Sequence, residues 1–318
     1  MRHLLAILFL CMPLAAQNIL WRDPGRISDL DFRWGAGGAK LRPAPPFHFI
    51  EADDSGTTPK LLVRDGRGRT WNVKFGDEVR AETFASRLVW ALGYHSEPTH
   101  YLPAGRVLGT RRHHLGRASR HVSKSGQFRD ARFELRDPKS RFLENNGWSW
   151  ENNPFVRTRE LNGLRTLVML LSGWDNKDAR DDTSNTSILQ TPSGARVYFV
   201  SDWGASMGKW GNFFTREKWD CEGFRAQTSD FVKAVDRGNV RFGFAGKHDG
   251  DFKKQIRVSD VRWLMRRLSQ ISDTQLRSAL RSSGASRHES SCFVSSLRAR
   301  IRQLQRATEA PVLQARRP

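Results

Sequence analysis

The chain has 318 residues, with 53 Lys and Arg against 33 Asp and Glu, so its formal net charge is +20 at pH 7. Hydrophobic residues make up 38%, aromatics 10%, and there are eleven Trp, enough to bury a sizeable core. This composition excludes wholesale disorder, collagen, coiled coil and a multi-span membrane protein. The charge makes nucleic acid, phosphate ligands and acidic surfaces candidate partners without choosing among them.

Residues 1–16 have the layout of a cleavable secretory signal. Arg2 and His3 precede an apolar run at 4–10, and Leu14, Ala15 and Ala16 form a small-residue exit. Cleavage is expected near Ala16, with an uncleaved anchor as the alternative. Cys11 follows Leu10 rather than a small residue, which disfavours lipid attachment. No later segment reaches the length of a span. The expected location is therefore extracytoplasmic, secreted or periplasmic, with no integral membrane segment after cleavage. Two cysteines then remain, Cys221 and Cys292. In an oxidising compartment they are candidates for a disulfide closing a long loop; the alternative is two unrelated buried thiols.

Residues 17–46 read as an extended, flexible arm. Gly35, Gly37 and Gly38 are no dinucleotide fingerprint, because no strand precedes them and Pro43, Pro45 and Pro46 follow. An N-lobe is expected over 47–105. Alternating runs at 47–50, 60–64 and 70–75 predict an antiparallel three-strand meander, with a polar turn at 53–58 and a hairpin signal at Asp65-Gly66. The period then becomes helical over 79–93, with Ala81, Phe84, Ala85, Leu88, Val89 and Leu92 on one face and Gly93 as terminator.

Residues 106–157 are Arg-rich and weakly patterned, which predicts an irregular basic insertion or connection with a hairpin around Gly126. A mostly helical C-lobe is expected over 158–304. Its central helix spans 158–172, with Leu161, Leu164, Leu167, Val168 and Leu171 on one face and Gly173 ending it. A polar loop follows at 174–186, then a hairpin of 188–190 and 197–200, then a loop at Asp202-Trp203-Gly204. Helices are predicted at 259–268, 272–280 (Ser272 and Gln275 forming a capping box) and 292–304, before a frayed tail at 305–318. No internal repeat is visible.

Four pieces fall in a suggestive order. Lys74 lies on the third strand and Glu82 in the first turn of the next helix. Asp175 follows the long buried helix, with Asn185 at the mouth of the hairpin, and Asp202 opens an Asp-x-Gly loop at its end. Phosphoryl transfer needs these types: a cation for the phosphates, a carboxylate to hold it, a carboxylate to take the acceptor's proton, and an Asp and Asn to hold magnesium.

This order resembles the protein-kinase-like fold, and more closely its atypical branches: HipA-type kinases, phosphatidylinositol 3/4-kinases and secreted Golgi kinases. The runs Ser172-Gly173-Trp174-Asp175 and Asn185-Thr186-Ser187-Ile188-Leu189 resemble the HipA-type motifs. Trp174-Asp175-Asn176-Lys177-Asp178 and Asp202-Trp203-Gly204-Ala205-Ser206 resemble the motifs of a group of uncharacterised exported bacterial proteins. The resemblance implies a bilobed α+β fold, with a small antiparallel-sheet N-lobe and a mostly helical C-lobe. It implies ATP as donor, magnesium or manganese as cofactor, and an unidentified hydroxyl acceptor on a protein, lipid or glycan. Lys74 would contact the nucleotide phosphates and pair with Glu82, under a loop carrying Gly56, Thr57 and Thr58. Asp175 would be the base, with Asp178 a competitor for that role and Lys177 beside it in the catalytic set. Asn185 and Asp202 would hold the metal.

Other readings of the same residues stay open. Asp175, Asp178, Asp181 and Asp182 form an acidic loop, although they lack the Asp-x-Asp-x-Asp-Gly order of a strong calcium site. A catalytically inactive relative, or a basic extracytoplasmic binding protein, is the alternative function. His113, His114 and His121 lack a nearby acid or thiol and suit a surface loop better than a metal site. Arginine is spread throughout and dense over 257–267, where Arg262 and Arg266 share a face, so any polyanion contact is expected to be nonspecific.

Overall fold

The computed structural model describes residues 17–54, 58–137, 139–143 and 147–309. The expected signal segment, Gly56 and Thr57 of the expected phosphate loop, and the tail from 310 onward lie outside the described residues. The architecture is mixed α+β, with most strands in the N-terminal half and most helices in the C-terminal half. In chain order the elements are β1 (Asn18–Ile19), β2 (Phe47–Asp53), β3 (Lys60–Arg64), β4 (Thr70–Phe75), α1 (Val79–Ala91), β5 (Thr99–Leu108), β6 (Gln127–Leu135) and β7 (Arg141–Phe142). Then follow α2 (Arg159–Leu170), β8 (Thr186–Gln190), β9 (Arg196–Val200), α3 (Cys221–Ala226), β10 (Val232–Asp236) and β11 (Asn239–Phe242). The chain closes with α4 (Asp249–Lys253), α5 (Val258–Leu268), α6 (Asp273–Ser282) and α7 (Arg287–Glu309).

The meander of β2, β3 and β4 forms in the expected register, but it does not stand alone. β5 and β6 complete a closed barrel in the order β2-β3-β4-β6-β5, with β2 and β5 running parallel. The region expected to be an irregular insertion thus supplies β6, one wall of the barrel. Phe128, Ala131 and Phe133 of β6 pack inside with Phe47, Leu61, Val63, Trp71, Val73 and Phe75. Asp130, at φ +48°, interrupts the alternation, and arginines occupy the positions between, which hides the strand from a pattern search. A turn does form at Gly126, whose N–H donates to the Ser123 carbonyl.

Strand periodicity sends Trp71, Val73 and Phe75 into the barrel and Asn72 and Lys74 to its outer face. There α1 packs, and its apolar side belongs to the helical core rather than to the barrel. In that larger core α2 is almost wholly buried, from Leu161 through Leu170. Thr158 caps it, its Oγ1 accepting from the Leu161 N–H at 3.2 Å. The left-handed residue at its end is Ser172, at φ +57°, not Gly173 as the sequence suggests. The Ser272–Gln275 capping box forms as expected, and α7 runs longer than expected, to Glu309.

The N-terminal arm is docked along the helical lobe. β1 pairs parallel to β9, Ile27 and Phe32 are buried, and the Trp21 indole N–H donates to the Leu92 carbonyl at 2.7 Å. Gly93, at φ +91°, is where the arm crosses: a Cβ there would lie 2.2 Å from the Arg22 carbonyl oxygen. Cys221 at the start of α3 and Cys292 in α7 form a disulfide, with Cα atoms 6.1 Å apart. Among the described residues no helix is long and apolar enough to cross a membrane.

Candidate active site

Lys74 is buried where β4 faces α1, and three carboxylates surround its ammonium. Its Nζ lies 2.5 Å from Glu82 Oε1, 2.7 Å from Glu78 Oε2 and 3.2 Å from Asp202 Oδ2. Glu78 and Glu82 sit four apart at the start of α1 and therefore share a face, with their charge placed at the favourable end of the helix dipole. Burial alone would depress the Lys74 ammonium, but Glu82, Asp202 and Glu78 outweigh it and hold it protonated, with a pKa above the ordinary lysine value. Full burial pushes the Glu82 carboxyl up, while Arg132 and Lys74 pull it back toward the charged form. Asp202 goes the other way: burial opposes its charge, but Lys74 and the Gly204 N–H hold it below the usual carboxylate range.

Glu82 is shared with a second cation. Its Oε2 lies 2.9 Å from Arg132 Nη1, and Arg132 also meets Glu134 at 3.0 Å. Glu78 is likewise shared, accepting from Lys218 Nζ at 2.6 Å and from the Thr58 hydroxyl at 2.8 Å. Thr58, expected over the phosphates, therefore anchors the end of its loop to α1. Asp202 is fixed by its own turn, Oδ1 accepting the Gly204 N–H at 2.8 Å. Gly204 is required by space rather than by a left-handed turn: a Cβ there would sit 2.7 Å from Glu78 Cβ.

The loop after α2 brings the remaining candidates to the same place. Asp175, Asn185 and Asp202 line one small crevice with Lys177, Trp203 and Ala205. The Asn185 side-chain amide donates to the Asp175 carbonyl oxygen, and Lys177 Nζ stands 3.2 Å from Asp175 Oδ2. Asp178 does not join them. It is fully buried, accepts the Trp150 N–H at 2.9 Å and the Arg180 N–H at 3.0 Å, and is clamped by the Arg180 guanidinium at 2.7 Å. A carboxylate so enclosed anchors the loop and, unlike Asp175, does not line the crevice. Asp181 is taken by Lys247 at 2.5 Å and His248 at 2.7 Å, so the acidic loop is internally neutralised rather than arranged for calcium.

Lys74, Glu82 and Asp202 are thus in direct contact, with Asp175 and Asn185 one crevice away. Four contributors escape sequence reasoning: Glu78, Lys218, Arg132 and Arg300. Glu78 carried a signal, its i,i+4 spacing from both Lys74 and Glu82. Arg300, in α7, is fully buried and donates to Leu170 O at 2.9 Å, Ser172 Oγ at 2.8 Å and Phe224 O at 2.9 Å, fixing the end of α2 from which the Asp175 loop departs. A divalent ion suits the crevice by donor type. Asp202 and Asp175 offer carboxylate oxygens, and no described donor occupies Asn185 Oδ1, giving an oxygen-only set of the kind hard cations take.

No family model matches the chain, and no curated protein matches it. Among solved structures it is similar to the Golgi casein kinase, with a TM-score of 0.41 at 9% identity over 86% of this chain and 75% of that one. The same kinase with Mn/ADP bound gives a TM-score of 0.40 at 8% identity, over 85% and 74% of the two chains.

Proposed function

We propose that this protein is an atypical kinase-like phosphotransferase that moves the γ-phosphate of ATP to a hydroxyl of a protein, lipid or glycan. One observation carries the reading: a buried lysine on the barrel, held by a helix carboxylate at 2.5 Å, lies 3.2 Å from the Asp202 carboxylate of the opposite lobe. The pair joins the two halves of the molecule at the position where a triphosphate would need both a cation and a metal ligand.

In this reading Lys74 binds phosphate oxygens while Glu82, itself steadied by Arg132, keeps the ammonium aimed. Asp175 accepts the proton of the attacking hydroxyl. Lys177 Nζ, 3.2 Å from Asp175 Oδ2, orients that side chain. Asp202 and Asn185 would hold magnesium or manganese, which supplies charge neutralisation for the phosphates. The likeness of the 174–178 and 202–206 runs to HipA-type kinases and to exported bacterial proteins belongs to the same proposal. So does action outside the cytoplasm after cleavage near Ala16, which rests on the layout of residues 1–16 and is checked by N-terminal sequencing of the mature protein.

The test is nucleotide-dependent thermal stabilisation of the full chain with magnesium or manganese. ADP or ATP should raise Tm, the shift should vanish in Asp202→Ala, and it should persist in Asp175→Ala. No shift with either metal, or the same shift in Asp202→Ala, sinks the reading.

A further inference from the structure

A second basin, of about 940 Å³, opens on the helical lobe where the start of α5 meets α2 and the β10–β11 turn. It shares no lining residue with the crevice of Asp175 and Asp202. Six cationic side chains line it: Arg157, Arg165, Arg237, Lys254, Arg257 and Arg262. Its two acids, Glu151 and Asp251, are already turned to Arg180, at 3.7 and 2.7 Å. Arg257 is matched by Asp260 at 2.9 Å. The other five cations form no ion pair among the described residues.

Arg165 sets this basin apart from an ordinary basic surface. It is only 8% exposed, and its terminal nitrogens meet neutral partners, the Trp150 carbonyl and Asn162 Oδ1. Its Nε–H has no partner among the described residues. Asp251 and Glu151 act on Arg165 only at a distance while their closest cation is Arg180, and a buried guanidinium with no direct ion pair is costly when further cations line the same cavity. Guanidinium forks fit tetrahedral oxyanions through paired N–H donors, and this much positive charge exceeds what a single carboxylate neutralises. The volume suits a small molecule rather than a duplex.

We propose that this basin binds a compact ligand carrying several phosphate groups, at a site separate from the nucleotide. Arg165 forms its floor and Arg157 and Arg237 close over the ligand from the rim, while Arg262 adds its charge from a position fixed by the Thr308 carbonyl at 2.6 Å. The reading is independent of the catalytic proposal.

Sodium tripolyphosphate is the probe, titrated calorimetrically into the full chain. The parent and Asp202→Ala should bind it alike, whereas the exposed double substitution Arg157→Ala/Arg237→Ala should weaken binding at least ~10-fold, by the worth of charge-assisted contacts. Because Arg165→Met risks the fold, the rim variant carries the test. Soluble inositol hexakisphosphate and vesicles bearing phosphatidylinositol bisphosphate then tell a free ligand from a lipid headgroup; rim-dependent binding of either supports the site. The proposal is overturned by no tripolyphosphate binding, by equal binding in the parent and the rim variant, or by loss only in Asp202→Ala. Tighter binding of duplex DNA that ignores the rim variant overturns it as well.

Discussion

Lys74 and Arg132 stand directly opposite each other on the antiparallel strands β4 and β6, two buried cations on one face of the barrel. Like charges so placed repel, and the Glu82 carboxylate resolves the conflict by giving one oxygen to each, at 2.5 and 2.9 Å. The glutamate is thus a structural keystone as well as a guide for the lysine.

Glu82→Gln should therefore cost about 3 kcal/mol of unfolding free energy, the scale for breaking a buried ion pair from one side. Adding Arg132→Met to Glu82→Gln should recover part of that loss, because one of the opposed cations is gone. Urea titration of the two single variants and the double variant measures the coupling. Strict additivity would refute the shared-carboxylate account.

Asp175 and Asp178 are expected to separate cleanly. Asp175→Asn should lower turnover by roughly 10²–10⁴-fold with little change in melting temperature. Asp178→Asn should instead cost about 2 kcal/mol, since it unclamps Arg180 and weakens the acceptor of the Trp150 N–H. Comparing single-turnover rates with thermal melts assigns each role, and equal turnover loss at matched stability would remove the distinction.

Gly204→Ala should act through Glu78. The new methyl group falls 2.7 Å from Glu78 Cβ, so α1 or the Asp202 loop must shift. Nucleotide affinity should drop by about tenfold or more, which removes about 1.4 kcal/mol of nucleotide-dependent stabilisation at saturating ligand. An undisturbed nucleotide response in this variant would show that Glu78 has no part in the site.

Acid should destabilise the fold through two buried histidines, His95 and His100. Burial, helped by Arg22, lowers His95 to about 4, and burial with Arg87 and Arg69 lowers His100 to about 3. Below pH 6.5 the unfolded chain takes up these protons and the folded chain does not, so stability is full above pH 6.5 and falls as pH drops toward 4 and then 3. For His95 the full swing is about 3 kcal/mol. Urea midpoints at pH 7 and pH 4.5 should differ in the parent and converge in His95→Phe/His100→Phe; a flat parent profile overturns the assignment.

The sequence revealed those parts of the site that depend on local order. Lys74, Glu82 and Asp202 were legible because strand, helix and hairpin follow one another with strong periodicity and clear terminators. Arg132 was not, because its importance comes from cross-strand register with Lys74, 58 residues away, and register leaves no trace in a single strand's pattern. Asp178 looked equivalent to Asp175 since both are acids in a polar loop; only the Trp150 backbone and Arg180, packed around it, tell them apart. The docking of the arm is hidden in the sequence for a similar reason. Its glycines and prolines signal irregular backbone, and irregular backbone can still be held by buried side chains such as Ile27 and Phe32.

The pairing of Asn18 with Arg196 and of Ile19 with Val197 fixes an order of events as the polypeptide matures. The barrel closes through pairings up to about 60 positions apart, such as Phe47 with Val107 and Trp71 with Leu135, but the four-stranded sheet of the other lobe must wait until a segment nearly 180 positions downstream has emerged to receive residues 18 and 19. Such a distant partnership is slow to find, so the last step of assembly should be the docking of this leading strand, and deleting residues 18–22 should leave a kinetically accessible but incomplete intermediate.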